Sequence, residues 1–513
     1  MSFVSPVPAV TPTPAPAQLS AQFSTNQFRQ RIQKTQKQSG AGVIPPWNIL
    51  YGSCMMPPLD GTTAAAGGGS GGAAVLPEAR CVFFGGGVSV DTASTVWLAT
   101  TTQGDGGTFS TVWTQLALKN SQALIAPPRI LPLMIGLSPT QFLMFGGYTV
   151  ASETKPALDA YIGVIGSSGG GTSDTTIWWD RVKVVTKNET SSATPFQYNA
   201  EMDAPNMSTS TFMRTDFGDL VIVYPHPIGN FNTDGTSYAV GPRDDIGQSR
   251  ITERKLVVTR IYLERLSSNV VTAEYGYLSA ADKNWPSTRV ESVRMAPLSC
   301  GFALGLTIPR DPATAASVNA NTWVLSLQTM KANWSPSDGG AVVRWFNFGT
   351  LPHAPSLRSG MLLFSTGCRL STISKTCIVA SYGARIVWKS ALSSKAPIPL
   401  HVAIFKVLSS NTFTISWQQE YTKSFDSDDV GEIGDVAVSE LVFPNAKMVT
   451  GFSGGLELSF LCYGGYGRES EGRASIVTQL SIPPERLVDP TGGLLTASDV
   501  ATLSSATVPG TAK

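Results

Sequence analysis

Phe425-Asp-Ser-Asp-Asp-Val-Gly-Glu432 gathers four acids within eight residues. Oxygen ligands at alternate positions suit calcium, but the rest of an EF-hand loop is missing, so the run reads as a solvated acidic turn. Glycosidases need paired carboxylates, one to protonate the leaving oxygen and one to attack or to activate water. This run and Arg243-Asp-Asp245 are the acid-bearing loops on which such chemistry would draw. A sialidase-type site would further need convergent arginines, for which Arg214, Arg260 and Arg344 are available in separate segments. Trp285 and Trp334, with Trp47, offer flat apolar faces for stacking on a sugar, or are rim and core aromatics. The histidines are His226, His353 and His401, far apart and without HxH or HxxxH spacing, which argues against zinc. No nucleophile elbow, phosphate loop or dinucleotide fingerprint stands between a strand and a helix. The expectation is a protein that is not an enzyme, with no metal and no cofactor.

The elements that would hold these residues are strands. A short apolar run recurs as Cys81–Phe84, Phe142–Phe145, Leu220–Tyr224, Gly301–Leu304, Met361–Phe364 and Leu456–Phe460. Further β-like runs follow each of the first ones, such as Ala160–Ile165 and then Ile177–Val185 after Phe142. Third-strand candidates are Val112–Leu116, Trp178–Val185, Leu256–Tyr262, Val342–Phe346 and Ile476–Leu480. A unit of a few antiparallel strands cannot bury its apolar face alone and must stack on copies of itself. The interval from Met361 to Leu456 is the widest and has room for one more unit, so six or seven blades are expected, with seven preferred.

Bulk composition agrees. Charged residues are only 14% and the net charge is +1, so no general attraction to nucleic acid or to an anionic membrane is expected. Cysteines at 54, 81, 300, 368, 377 and 462 form no cluster and read as small buried hydrophobes. No apolar run reaches the roughly 18 residues of a spanning helix. The first residues lack a basic start and an apolar core, so a signal peptide is not expected and synthesis is placed in the cytoplasm.

The expected division is an arm at 1–40, a linker and Gly-rich loop at 41–72, the propeller at 73–487 and a tail at 488–513. Residues 1–20 are Pro-rich and extended. Residues 21–38 are predicted as a helix with Phe23, Phe28 and Ile32 on one side and Arg29 and Arg31 on a weakly basic face. Phe23, Phe28, Arg29, Arg31 and Ile32 are the candidate docking residues, and removing 1–40 is expected to leave the fold intact while abolishing assembly.

Phe145-Gly146-Gly147, followed by Tyr161 and Trp178, resembles a kelch repeat. Thr102–Thr108 with Trp113, and Ser337–Gly340 with Trp345, are similar to degenerate Asp-box turns of sialidase-type propellers. Both resemblances imply an all-β propeller, here preceded by the Pro-rich arm; the alternative is a viral jelly-roll capsid domain. The layout looks like that of propeller proteins of tailed-phage particles. It implies a structural virion protein, a tail or nozzle component, whose partners are other virion proteins through the arm, further copies of itself, and a host-surface glycan or protein. The alternatives are an icosahedral capsid protein and a carbohydrate-binding or glycan-hydrolysing propeller.

Overall fold

The computed structural model describes residues 29–34, 45, 51–57, 78–86, 94–104, 108–119, 124–150, 157, 159–167, 174–182, 207, 210–214, 220–228, 253–261, 273–277, 290–297, 302–309, 321–327, 343–354, 362–365, 376–382, 399–409, 412–421, 437–440, 456–463 and 476–482. Every regular element among them is a β-strand. The first, β1 (Arg29–Lys34), pairs with a strand near the other end of the sequence, around Ile476–Ser481.

Blade 1 is β2 (Tyr51–Met55), β3 (Glu78–Gly85), β4 (Val96–Gln103) and β5 (Phe109–Leu118). After the two-residue β6 (Arg129–Ile130), blade 2 follows as β7 (Leu133–Ser138), β8 (Gln141–Phe145), β10 (Ala160–Ser167) and β11 (Asp174–Val182), with β9 (Tyr148–Thr149) pairing β6. Blade 3 is β12 (Thr211–Arg214), β13 (Leu220–Ile228), β14 (Glu253–Ile261) and β15 (Ala273–Tyr277). Blade 4 is β16 (Val290–Pro297), β17 (Phe302–Pro309), β18 (Asn321–Leu327) and β19 (Val343–Thr350). Blade 5 is β20 (Leu362–Ser365), β21 (Thr376–Tyr382), β22 (Pro399–Ser409) and β23 (Thr412–Tyr421). Blade 6 is β24 (Ala437–Glu440), β25 (Leu456–Tyr463), β26 (Ile476–Ile482) and, as its outermost strand, β1.

Within each blade the strands pair antiparallel, in sequence order from the inside outward except where β1 closes blade 6. The inner strands β24, β2 and β7 touch in turn, as do β12, β16 and β20. Blade faces then pack pairwise: Leu133 and Phe145 on Leu220 and Tyr224 between blades 2 and 3, and Leu304 and Val324 on Phe405 and Trp417 between blades 4 and 5. The chain is an all-β propeller, with six blades among the described residues, not a pair of face-to-face sheets. Of the six or seven blades expected, six stand among the described residues, where the wide interval after Met361 holds the strands of blade 5 and the start of blade 6.

The recurring apolar run proves to be the second strand of five blades and the first only in blade 5. Second strands are buried on both faces, so they read as continuous apolar runs: Cys81 and Phe83 face blade 6 while Val82 and Phe84 face blade 2. Cys54 and Cys81 are buried, and burial pushes the Cys54 thiol well above its ordinary range. Both Asp-box-like turns join a third strand to a fourth, in blades 1 and 4. No helix among the described residues is long and apolar enough to cross a membrane.

Two expectations about the first 72 residues are corrected. Residues 29–34 are a strand rather than part of a helix, because the open edge of β26 offers their backbone a ladder, Arg29 facing Ser481 and Lys34 facing Ile476. The propeller also starts before residue 73, since β1 closes blade 6 and β2 is the inner strand of blade 1. The Gly-rich run 61–72 and the tail 488–513 lie outside the described residues.

Candidate functional site

Two faces of the ring follow from the strand directions. Connections from each outer strand to the next inner one, and from second strands to third, arrive on one face, called here the crossover face. The other turns lie on the far face. On the crossover face, between blades 1 and 2, the segment carrying Arg129 is threaded past two glycine turns. β3 ends in Phe84-Gly85-Gly86 and β8 in Phe145-Gly146-Gly147, all four glycines at positive φ. A Cβ on Gly85 would sit 2.2 Å from the Arg129 carbonyl oxygen, and one on Gly147 2.6 Å from that of Ile130. Only glycine permits both the left-handed backbone and this approach. The Gly86 N–H donates to the Arg129 carbonyl at 2.8 Å. Leu131 then turns the chain at φ 49°, a conformation that costs an L-residue about 1–2 kcal/mol.

So held, the Arg129 side chain is buried and meets Asp159, the residue just before β10. Its Nη2 lies 2.5 Å from Asp159 Oδ1, its Nη1 donates to the Pro128 carbonyl, and its Nε has no partner among the described residues. Tyr161 donates its hydroxyl to Asp159 Oδ2 at 2.8 Å. Burial first, then the hydrogen bond and the charge of Asp159, push the Tyr161 phenol up to about 12, against the opposite pull of Arg129 and Arg181. Trp179 packs beside Tyr161 and Phe84. Arg181 stands opposite Tyr161 in the β10–β11 register and is exposed. Asp159 itself keeps 26% of its side chain in solvent.

The neutral phenol of Tyr161 is a donor and no nucleophile. Asp159 is a carboxylate fixed from two sides and open on a third, a rigid acceptor for a hydroxyl. A glycosidase pair would need a second acid, and among residues with described side chains no other acid stands at this cluster. No group of three or more His, Cys, Asp or Glu suited to a metal occurs among the described residues.

The residues singled out from sequence are distributed differently. Phe23, Phe28, Trp47, Trp285, Trp334, the acids at 426–432 and Arg243-Asp-Asp245 lie outside the described residues. Arg29, Arg31 and Ile32 are in β1, opposite Ser481, Gln479 and Thr478. His226 and His401 sit in β13 and β22, of different blades, and exposed His353 follows β19. Arg214, Arg260 and Arg344 occupy the far-face ends of β12, β14 and β19, so the backbone does not bring them to Arg129. Sequence reasoning missed Arg129 and Asp159. The available signals were Pro127-Pro128-Arg129 ahead of a strand and an acid directly before Ala160–Ile165.

No family model matches the sequence, and no curated protein matches it. Among solved structures, a protein of unknown function from Dyadobacter fermentans is similar with a TM-score of 0.42 at 10% identity, over 89% of this chain and 99% of that one. An arabinofuranosidase mutant from Fusarium graminearum is similar at 0.38 and 10% identity, over 85% and 96%. A sialidase mutant from Trypanosoma rangeli is similar at 0.39 and 11% identity, over 89% of this chain and 59% of its own. The expectation of a non-enzyme is corrected here: the similar structures include enzymes, an arabinofuranosidase and a sialidase. By itself, an all-β repeat without a familiar motif gives no ground for excluding catalysis.

Proposed function

We propose that this chain is a glycan-recognising propeller, with glycoside hydrolysis as its reaction class, working at the crossover face of blades 1 and 2. The observation that carries this reading is Asp159, held by Arg129 and Tyr161 and left partly open to solvent. A rigid carboxylate acceptor among aromatic side chains suits sugar hydroxyls and sugar C–H faces. Topology adds support, because other polar and aromatic candidates are tethered to strand ends on the same face. Residues 426–432 lie between β23 and β24, 243–245 between β13 and β14, and Trp285 between β15 and β16. The second carboxylate that hydrolysis requires would come from one of the two acid-bearing connections.

The test is a panel of oligosaccharides screened for binding and for release of reducing ends by the full chain, its D159N variant and a variant with Ala at the acids of 426–432. Binding lost in D159N, and turnover lost in either variant, is expected. A full chain that binds and cleaves nothing on the panel would sink the reading.

A second reading, a virion component docked through its N-terminal residues, has one observation in its favour. Arg29 faces Ser481, so the residues before β1 and after β26 leave from neighbouring points of the far face, turned away from Asp159. Electron micrographs of the chain with its assembly would test it; isolated monomers at every concentration would count against docking.

A further inference from the structure

We propose that the sugar taken at this face carries an acidic group, a carboxylate or a sulfate, and that Arg181 binds it. This rests on the glycan-recognising reading and narrows it to a substrate class. β10 and β11 pair with Tyr161 facing Arg181, so the two side chains share one surface of the blade, the surface turned toward blade 1. Trp179 is on that surface as well, packed into the junction of blades 1 and 2. Asp159, two residues before Tyr161, is the diagonal neighbour of Arg181, a Cα separation of about 7–8 Å that long side chains span.

The charges on this surface do not cancel. Arg129 is buried and its charge is met by Asp159 at 2.5 Å. Arg181 is exposed and makes no ion pair among the described residues, which leaves one surplus cation beside the fixed carboxylate. Asp180, its sequence neighbour, alternates to the other surface of β11 with Trp178 and Val182, toward blade 3. Lys119 is held over the Trp178 ring at 4.2 Å and belongs to that other surface too. A ligand laid along β10 and β11 therefore meets, in order, a hydroxyl acceptor at Asp159 and a forked guanidinium at Arg181. A neutral sugar would use the first and leave the second idle. A uronate or sulfated sugar uses both, its anion accepting the paired donors of Arg181.

The experiment measures binding of the full chain to matched oligosaccharide pairs, oligogalacturonate against its neutral galactose counterpart and a sulfated galactan oligomer against the unsulfated one. The acidic member is expected to bind roughly tenfold or more tightly, and to weaken as salt is raised. Arg181→Gln should abolish that preference while leaving neutral binding unchanged, and Arg181→Lys should restore part of it. Arg181 is exposed, so both variants are expected to fold, which circular dichroism checks. Equal affinity for both members, or a preference that survives Arg181→Gln, would overturn the acidic-sugar proposal and leave glycan recognition standing. Failure to bind any member, acidic or neutral, would remove both.

Discussion

Between blades 6 and 1 the packing is aromatic and the backbone is not continuous through the blades that meet. Trp113 and Tyr463 pack as tilted rings with centroids 4.7 Å apart, Phe83 joins Trp113 at 5.1 Å, and Tyr51 lies against both Phe83 and Tyr463. The Tyr463 hydroxyl donates to the Pro45 carbonyl, and β1 completes blade 6 from the other end of the sequence. Between blades 1 and 2 the joint is welded differently. The tip of β5 pairs in parallel with β11, and the Lys119 N–H donates to the Ile177 carbonyl, which merges both blades into one eight-stranded sheet. The glycine turns and the Arg129–Asp159 pair then fill the crossover end of the joint. One junction is thus a clasp that must find itself, and the other is a continuous hinge stiff enough to keep a buried charge in register. A precise acceptor such as Asp159 belongs at the second kind.

The largest expected effect breaks the clasp. Removing residues 1–34 strips β1 from β26 and bares a strand edge, so loss of a single cooperative melt and aggregation on concentration are expected, followed by circular dichroism and light scattering. An unchanged melt would mean that closure resides in the aromatic cluster alone. Next, Trp113→Ala and Trp179→Ala each empty one junction and should cost about 3–5 kcal/mol in denaturant unfolding. The comparison is sharpened by the shape of the transitions: W113A is expected to lose cooperativity, and W179A, backed by the β5–β11 ladder, to keep it.

Smaller effects separate backbone strain from crowding. Gly85→Ala puts a Cβ against the Arg129 carbonyl at positive φ and should cost roughly 2–4 kcal/mol. Gly349→Ala has a similar φ with no atom within 4 Å, and should cost only about 1 kcal/mol. Equal costs would mean that the backbone around Arg129 yields. The smallest effect is Tyr161→Phe, about 1 kcal/mol at neutral pH. Tyr161 stays protonated in the fold up to about 12, whereas the unfolded chain releases its proton near 10.0. Its contribution is therefore whole below that lower value and drains away as pH climbs between the two. Unfolding free energies of wild type and Y161F should converge across that window.

Legibility followed burial. Second strands such as Cys81–Phe84 and Phe142–Phe145 stood out because sheets on either side require apolar side chains on both faces. Inner strands such as Thr211–Arg214 and Ala437–Glu440 were missed, being four residues long with no apolar run to mark them. Arg29–Lys34 is polar at every position but Ile32, which fits a helix face or an edge strand equally well, and its partner is more than four hundred positions away. Of the site, Tyr161 was visible through the kelch-like spacing, while Arg129 and Asp159 are single charged residues whose meeting depends on where two glycine turns lay the chain.

The local order of residues alone determined that this chain would build repeated β-units with glycine at their corners, because strand burial and left-handed turns leave marks within a few positions. The number of units, the strand that closes the ring and the carboxylate held between Arg129 and Tyr161 were decided only when distant segments came together. A backbone edge accepts any strand that reaches it, and an ion pair forms wherever the chain path brings opposite charges within reach of each other; neither rule is written in the spacing of neighbours.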